Sequence, residues 1–419
     1  MDYTEAFAAV EKNENYIVDI LQKLIRVDTT VPPGKNYGVL CDLVEPEFRK
    51  FGFETERVIV PEEKVQLIPG GMAGERINLV ASLNSGKPPV SAYAHMDVVP
   101  ADGNWTQDPF GGDRVGDKVY GRGTVDMKGS IACFLGAIKV LFEMGIEPLY
   151  AINCCLCTDE EVGVYPGARY LAEKGYFSNH LMWLELGAME PVVTIGAAGC
   201  IRVDLRAVGE SCHSGMNYLG VNAIEEMVPV LNELIELKRE VEQRLSRIPT
   251  FPLPGCPFDK MTPMFNLNII QGGRKENIVP AKCDLVINRR YIIDENYDDV
   301  IAEIETAVRR GREKSKLLDL KLTAVQSYPP VEIDPHGPAA KKMKSAMKAV
   351  KGYEEFLYGG ISGSTDLGFV AQALAPETID VASFGLVRAG NILAHAADEF
   401  VYVEDLVDAT KELVHYMAY

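Results

Sequence analysis

The sequence predicts an α/β protein, a mixed sheet carrying a ferredoxin-like β-α-β-β-α-β insertion. Three observations predict it. Short apolar runs of strand length alternate with helix-period segments over the first 185 or so residues, the pattern of a parallel or mixed sheet wrapped by helices. From about Cys200 the order becomes strand, helix, strand, strand, helix, strand, the split βαβ arrangement. Pro329-Pro330 then marks a return to the first pattern. The chain therefore divides into residues 1–197 with 329–419 as one domain and 198–328 as the other, in keeping with a length of 419 residues.

The elements follow in order. Residues 15–27, NYIVDILQKLIRV, place apolar side chains at helical spacing, and TTVPPGKN after them is a loop. INLVASL and PPVSAYAH read as strands, the second running straight into His95. Residues 129–142, GSIACFLGAIKVLF, read as a buried helix, and the continuous apolar run LYAINCCLC at 149–157 as a strand covered on both faces. In the insertion, CIRVDLRAV leads to a long helix from about Asn222. MFNLNIIQ, CDLVINRRYII, a helix over about 295–312 and LDLKLTAVQS follow. A helix over 339–350 precedes a glycine-rich loop and His395.

Composition excludes several classes. A formal charge of −18 speaks against a nucleic-acid partner, which needs clustered Lys and Arg. No run of about 18 apolar residues is present to span a membrane, and the acidic N-terminus lacks the charged and apolar regions of a signal peptide. Nine cysteines, with Cys154, Cys155 and Cys157 bunched in an apolar run, read as buried free thiols of a cytoplasmic protein.

Chemistry concentrates at strand ends, where open α/β sheets place their ligands. His95 lies in AHMDVVP with Asp97 two residues on, a carboxylate able to accept the other ring N–H and fix the tautomer. Asp126 lies in YGRGTVDMKG after the tight Gly121-Arg122-Gly123 segment; alone it also reads as a turn aspartate capping the next helix. Glu160-Glu161 directly follows a buried strand in CTDEEVG. Adjacent residues point in different directions, so one glutamate can bind a metal while its neighbour serves as general base. Glu185 in WLELG and His395 in ILAHAADE complete a histidine–carboxylate set suited to a hydrolytic zinc site.

Taken in order, these motifs resemble those of the acetylornithine deacetylase, succinyl-diaminopimelate desuccinylase and glutamate carboxypeptidase family of two-metal amidohydrolases, over roughly residues 15–415. AHMDVVP, with Trp105 and Asp108-Pro109-Phe110 after it, resembles the first family motif, and YGRGTVDMKG the second. The intervals of 34 residues from Asp126 to Glu160 and 24 from Glu161 to Glu185 are family-like. The resemblance implies a zinc-hydrolase catalytic domain whose insertion is a lid and dimerisation domain. It implies two divalent ions, zinc foremost with cobalt or manganese as alternatives. Asp126, His95 and Glu185 would hold one ion, and Asp126, Glu161 and His395 the other. Glu190, which precedes Pro191 as the family's ligand often precedes proline, is the alternative to Glu185.

By the same resemblance Glu160 is the general base, working on a hydroxide that bridges the metals, and Asp97 the partner of His95. His213 would reach a substrate carbonyl, often across a dimer. Asn277 and Arg290 would meet substrate from the lid, with Arg289 the alternative arginine because Asn288 stands where the family carries aspartate. Gly363, Ser364 and Thr365 would line the pocket. His180, His336 and His415 fall in no motif. The implied activity is amide hydrolysis of a small N-acyl amino acid; cleavage of a dipeptide or C-terminal residue is the alternative, and a non-catalytic binding protein on the same fold is a third reading.

Overall fold

A computed structural model describes residues 3–251, 256–375, 378–388 and 393–419. Its main sheet has six strands in the order Glu54–Ile59, Ile77–Leu83, Ala151–Cys157, Pro89–His95, His180–Trp183 and Asp380–Ser383. The first two pairings are antiparallel and the remaining three parallel, so the sheet is mixed. Residues 90–95 are all buried. Successive strand residues face opposite sides, so this strand is covered on both faces.

Helices Glu14–Ile25, Lys128–Glu143, Pro338–Lys351 and Val403–Ala418 pack together around this sheet and share its large apolar core. Each helix foreseen in the sequence lies within two residues of its expected place. Helix Tyr37–Lys50 was not foreseen, because Pro46 inside it reads as a breaker. It forms because Leu40, Cys41, Val44 and Phe48 recur at helical spacing and are buried.

The chain enters a second, antiparallel sheet at Gly199 and leaves it at Tyr328. Its order is Met264–Gly272, Lys282–Tyr291, Gly199–Val208, Asp319–Tyr328. Helices Ala223–Val241 and Tyr297–Glu313 pack on each other and complete a separate core around Val203, Leu205, Ile287, Leu234 and Ile304. Both helices begin at an asparagine whose side chain accepts the first free backbone N–H groups, Asn222 and Asn296. The predicted β-α-β-β-α-β order is thus observed. Two small sheets complete the molecule: Val192–Ala197 pairs with Val331–Glu332 and Leu357–Ile361, and Lys118–Tyr120 pairs with Arg114–Val115 and Phe400–Tyr402. Among the described residues no helix is long and apolar enough to cross a membrane. The nine cysteines are free, and Cys154, Cys155 and Cys157 are buried.

Candidate active site

The parallel strands Pro89–His95, Ala151–Cys157 and His180–Trp183 end at one edge; His95 closes the first, and the segments beyond the other two carry Glu160, Glu161 and Glu185. His95 is fully buried, its Nε2 3.0 Å from Asp126 Oδ1 and its Nδ1 3.0 Å from the backbone oxygen of Asp97. The Asp97 carboxylate lies farther from the ring, at 3.7 Å, and its Oδ2 accepts the backbone N–H of Glu161 at 3.0 Å. Asp97 therefore fixes the imidazole with its carbonyl, freeing Nε2 as a ligand atom, and fixes the glutamate pair with its side chain.

Asp126 does not cap the helix after it; that helix starts at Lys128 with no side-chain cap. The carboxylate instead stands between the two histidines, its Oδ2 3.2 Å from His395 Nε2. Gly123 makes the approach possible: its φ is +91°, and a Cβ there would sit 2.8 Å from the Val98 side chain. His395 Nε2 is also 3.1 Å from Glu161 Oε2. Glu185 Oε2 accepts hydrogen bonds from Trp183 Nε1 at 3.0 Å and Thr365 Oγ1 at 2.8 Å. Ligand atoms of His95, Glu160 and Glu185 lie within 4.8 Å of one another, as do those of His95, Asp126 and Glu161. Glu185, rather than Glu190, lines the cavity.

The electrostatics follow from so many carboxylates gathered out of water. Burial opposes ionisation of Asp126, but the imidazoles of His395 and His95 outweigh it and hold its carboxyl well below the usual range. Burial, reinforced by the Asp126 charge, pushes Glu161 up to about 7. Burial likewise lifts Glu185 to about 7, against the pull of His95. Glu160 stands well above an ordinary glutamate, through burial and then the charge of Glu185. Hydrogen bonds to Asp126 and Glu161 raise His395 to about 10.

These groups face a cavity of about 560 Å³. Gly363, Ser364 and Arg290 line it; Thr365 lies behind, against Glu185. Arg289 is buried and ion-paired with Glu295, whereas among the described residues Arg290 bonds neutral oxygens, Ser364 Oγ at 2.7 Å and Asn288 Oδ1 at 3.2 Å. His213 and Asn277 do not line the cavity of their own chain. His213 is exposed, its Nδ1 accepting the N–H of Gly215 at 3.0 Å, and the Oδ1 of Asn277 is buried without a partner.

The sequence reading missed Phe251, Cys200, Ser327 and Tyr328, which also line the cavity. The Tyr328 hydroxyl donates to the backbone carbonyl of Glu160. None of these lies in a recognisable motif, since each reaches the site only through folding of the insertion. Trp183 was missed as well, although it ends the strand two residues before Glu185 and donates to its carboxylate.

One buried and one exposed imidazole, gathered with carboxylates at the edge of a mixed α/β sheet, define a metal-dependent hydrolase. Residues 92–419 match the family model of peptidase family M20/M25/M40, and the chain belongs to that family. It is 25% identical over 405 residues to the probable succinyl-diaminopimelate desuccinylase of Staphylococcus aureus (strain MRSA252), covering 93% of each chain. Its fold matches the di-peptidase Dug1p of Saccharomyces cerevisiae with a TM-score of 0.81 at 18% identity, over 99% of this chain and 98% of that one. It also matches the dinuclear metal binding peptidase YXEP of Bacillus subtilis with a TM-score of 0.65 at 13% identity, over 97% and 98%. The resemblance drawn from the motifs is borne out at the level of family and fold.

Proposed function

We propose that the protein hydrolyses the amide bond of an N-acyl amino acid, as a deacylase like acetylornithine deacetylase or succinyl-diaminopimelate desuccinylase. One observation carries this reading: a histidine–carboxylate cluster and an arginine lacking a carboxylate partner among the described residues share one cavity. The first supplies hydrolytic chemistry, and the second suits a substrate carboxylate, whose two oxygens match the guanidinium fork.

The donor set fits two divalent ions. Two imidazoles and four carboxylates converge, and the buried Oε1 of Glu160 and Oδ1 of Asp97 lack partners. So much like charge at close quarters calls for cations to offset it. His95, Asp126 and Glu185 would hold one ion, and Asp126, Glu161 and His395 the other; zinc suits these ligands best, with cobalt or manganese as alternatives. Bound there, the ions supply Lewis acidity and lower the pKa of water.

The chain's own residues do the rest. Glu160 takes a proton from the attacking water on its carboxylate and returns it to the leaving nitrogen, a role suited by its raised pKa. Tyr328 holds the backbone of Glu160, and Asp97 that of Glu161, so both carboxylates stay aimed. Arg290 anchors the substrate carboxylate, and Gly363 and Ser364 shape the wall beside it.

Residues 198–328 form the lid, moving on hinges near 198 and 328, and also the dimer contact. Exposed Met216, Tyr218, Leu219, Ile269 and Ile270 on the insertion support that contact. His213 and Asn277 then act on the partner's substrate, which accounts for their distance from the cavity of their own chain. Free thiols, seven of the nine buried, support a cytoplasmic location.

Exopeptidase cleavage of a dipeptide or C-terminal residue would use the same groups. Rates on acetylornithine, succinyl-diaminopimelate and a dipeptide panel, with added zinc or cobalt, separate the two readings. Glu160→Ala is expected to abolish turnover while metal stays bound; parental turnover in that variant would remove Glu160 from the base role, and absence of bindable divalent metal in the parent would defeat the hydrolase reading.

A further inference from the structure

Glu399 lies four residues beyond His395 and is fully buried. Its Oε1 accepts the backbone N–H groups of Gly123 at 3.1 Å, Val125 at 2.9 Å and Asp126 at 3.3 Å. Its Oε2 pairs with Arg122 Nη1 at 2.7 Å, and its backbone oxygen accepts the N–H of Gly121 at 2.9 Å. One residue thus binds the backbone of nearly the whole segment that ends in Asp126. Its neighbour Asp398 binds the N–H and hydroxyl of Thr106, at 2.7 and 3.1 Å, tying the same loop to a second segment. No other described carboxylate oxygen collects as many backbone N–H groups as Glu399 Oε1.

We propose that Glu399 is a positioning residue that clamps the Asp126 loop to the His395 loop before any metal arrives. The proposal rests on the two-metal reading above. The two sites depend on this clamp unequally. His95 and Glu185 follow strands of the main sheet, and Glu185 has its own supports in Trp183 and Thr365. Of the ligands His395, Asp126 and Glu161, the first two belong to the loops that Glu399 joins. Free backbone amides at an unclamped turn would reach for water or for ligand carboxylates, and Asp126 would lose its aim between the histidines. Misplacing a ligand loop is costly because metal affinity depends on ligands already held in place.

Glu399→Gln tests this with little change of shape. Whichever way the carboxamide turns, its NH2 faces either the backbone N–H groups or the Arg122 guanidinium, donor against donor. The readout is a two-step cobalt titration of the metal-free protein, followed by calorimetry and by d–d absorption. The step lost in Glu399→Gln should match the step lost in His395→Ala and weaken about 10–100-fold, the usual effect of removing a ligand's support. The other ion keeps His95 and Glu185 but shares Asp126, so its step should weaken less. Leu234→Ala, in the core of the insertion, lowers the melting temperature without touching either loop and should leave both steps unchanged. Parental affinity for both ions in Glu399→Gln, or equal weakening of both steps, would overturn the proposal.

Hydrogen exchange on the parent gives a reading that does not depend on whether a variant folds. In the metal-free protein the amides of Gly123, Val125 and Asp126 should be protected as strongly as those early in helix Lys128–Glu143. Free exchange there would also overturn the proposal. If the parent binds no divalent ion, the functional reading above fails, while the exchange data still decide whether Glu399 clamps the loops.

Discussion

Replacing Arg290 by methionine keeps most of the side-chain length and removes the guanidinium. Of its five N–H donors, one goes to Ser364 and one to Asn288, which leaves three uncommitted among the described residues on a side chain that lines the cavity. A substrate carboxylate can take two of them side by side. Hydrogen bonds to charged groups contribute about 1.5–3 kcal/mol each, so two amount to roughly 3–5 kcal/mol after allowing for the open side of the cavity. Arg290→Met should then lower kcat/KM about 10²–10⁴-fold, mostly through KM, because the contact exists equally in ground and transition states. Arg290→Lys keeps the charge without the fork and should recover only part of the loss. Initial rates are compared on an N-acyl amino acid and on its carboxamide, which lacks the charge. The parent should favour the acid strongly, and Arg290→Met should show little preference. An Arg290→Met enzyme that retained the parental preference for the acid would refute the assignment of this arginine to the substrate carboxylate.

Two other outcomes follow from the geometry. Glu412, on the last helix, is 6% exposed, and burial lifts its carboxyl to about 8 against the pull of Lys351. Below the ordinary glutamate value both folded and unfolded chains hold the proton; between that value and about 8 only the folded chain does, so stability falls as pH rises through this window. The full cost, on the order of 5 kcal/mol, is reached above the folded value, so Glu412→Gln should raise the denaturant midpoint at alkaline pH and leave it nearly unchanged in acid. A gain independent of pH would assign the effect to packing. Secondly, if His213 serves the partner's site, mixing inactive His213→Ala with inactive Glu160→Ala should restore roughly a quarter of parental activity, since half the dimers become hybrids with one intact site. Activity that stays at background after subunit exchange, measured with a labelled subunit, would place His213 in its own chain's site or outside catalysis.

The parts of this molecule legible in its sequence are those whose signal is local. INLVASL and the apolar run ending at Cys157 are strands because they are buried on both faces, and the helices after them carry uninterrupted apolar faces. His95, Glu160, Glu161 and Glu185 were legible because they close or follow strands, and Asp126 because it follows a glycine-bearing segment, whereas His395 was legible only through its motif. Strand Glu54–Ile59 was not, because it is an edge strand of mostly polar residues in which no side chain is buried. The wall of the cavity was not either. Tyr328 and Cys200 are the exit and entry strands of the insertion, and Phe251 comes from the segment between its elements, so only tertiary contact brings them to Glu160. Arg289 and Arg290 are alike in sequence. Strand alternation puts one against Glu295 and the other into the cavity, and their register was needed to tell which.

Tyr328 ends the last strand of the insertion, and its hydroxyl grips the carbonyl of Glu160, while Ser327 beside it accepts the N–H of Val164 at 2.8 Å. Gly163 lies so close to both that a Cβ there would be 2.6 Å from each. If the insertion pivots near 328 and Glu160 accepts the proton, as proposed, pivot and proton acceptor share one joint. Swinging that unit outward would then drag on the turn bearing Glu160, so a gaping cleft would also be a disarmed one, and water admitted without substrate would meet a carboxylate out of alignment.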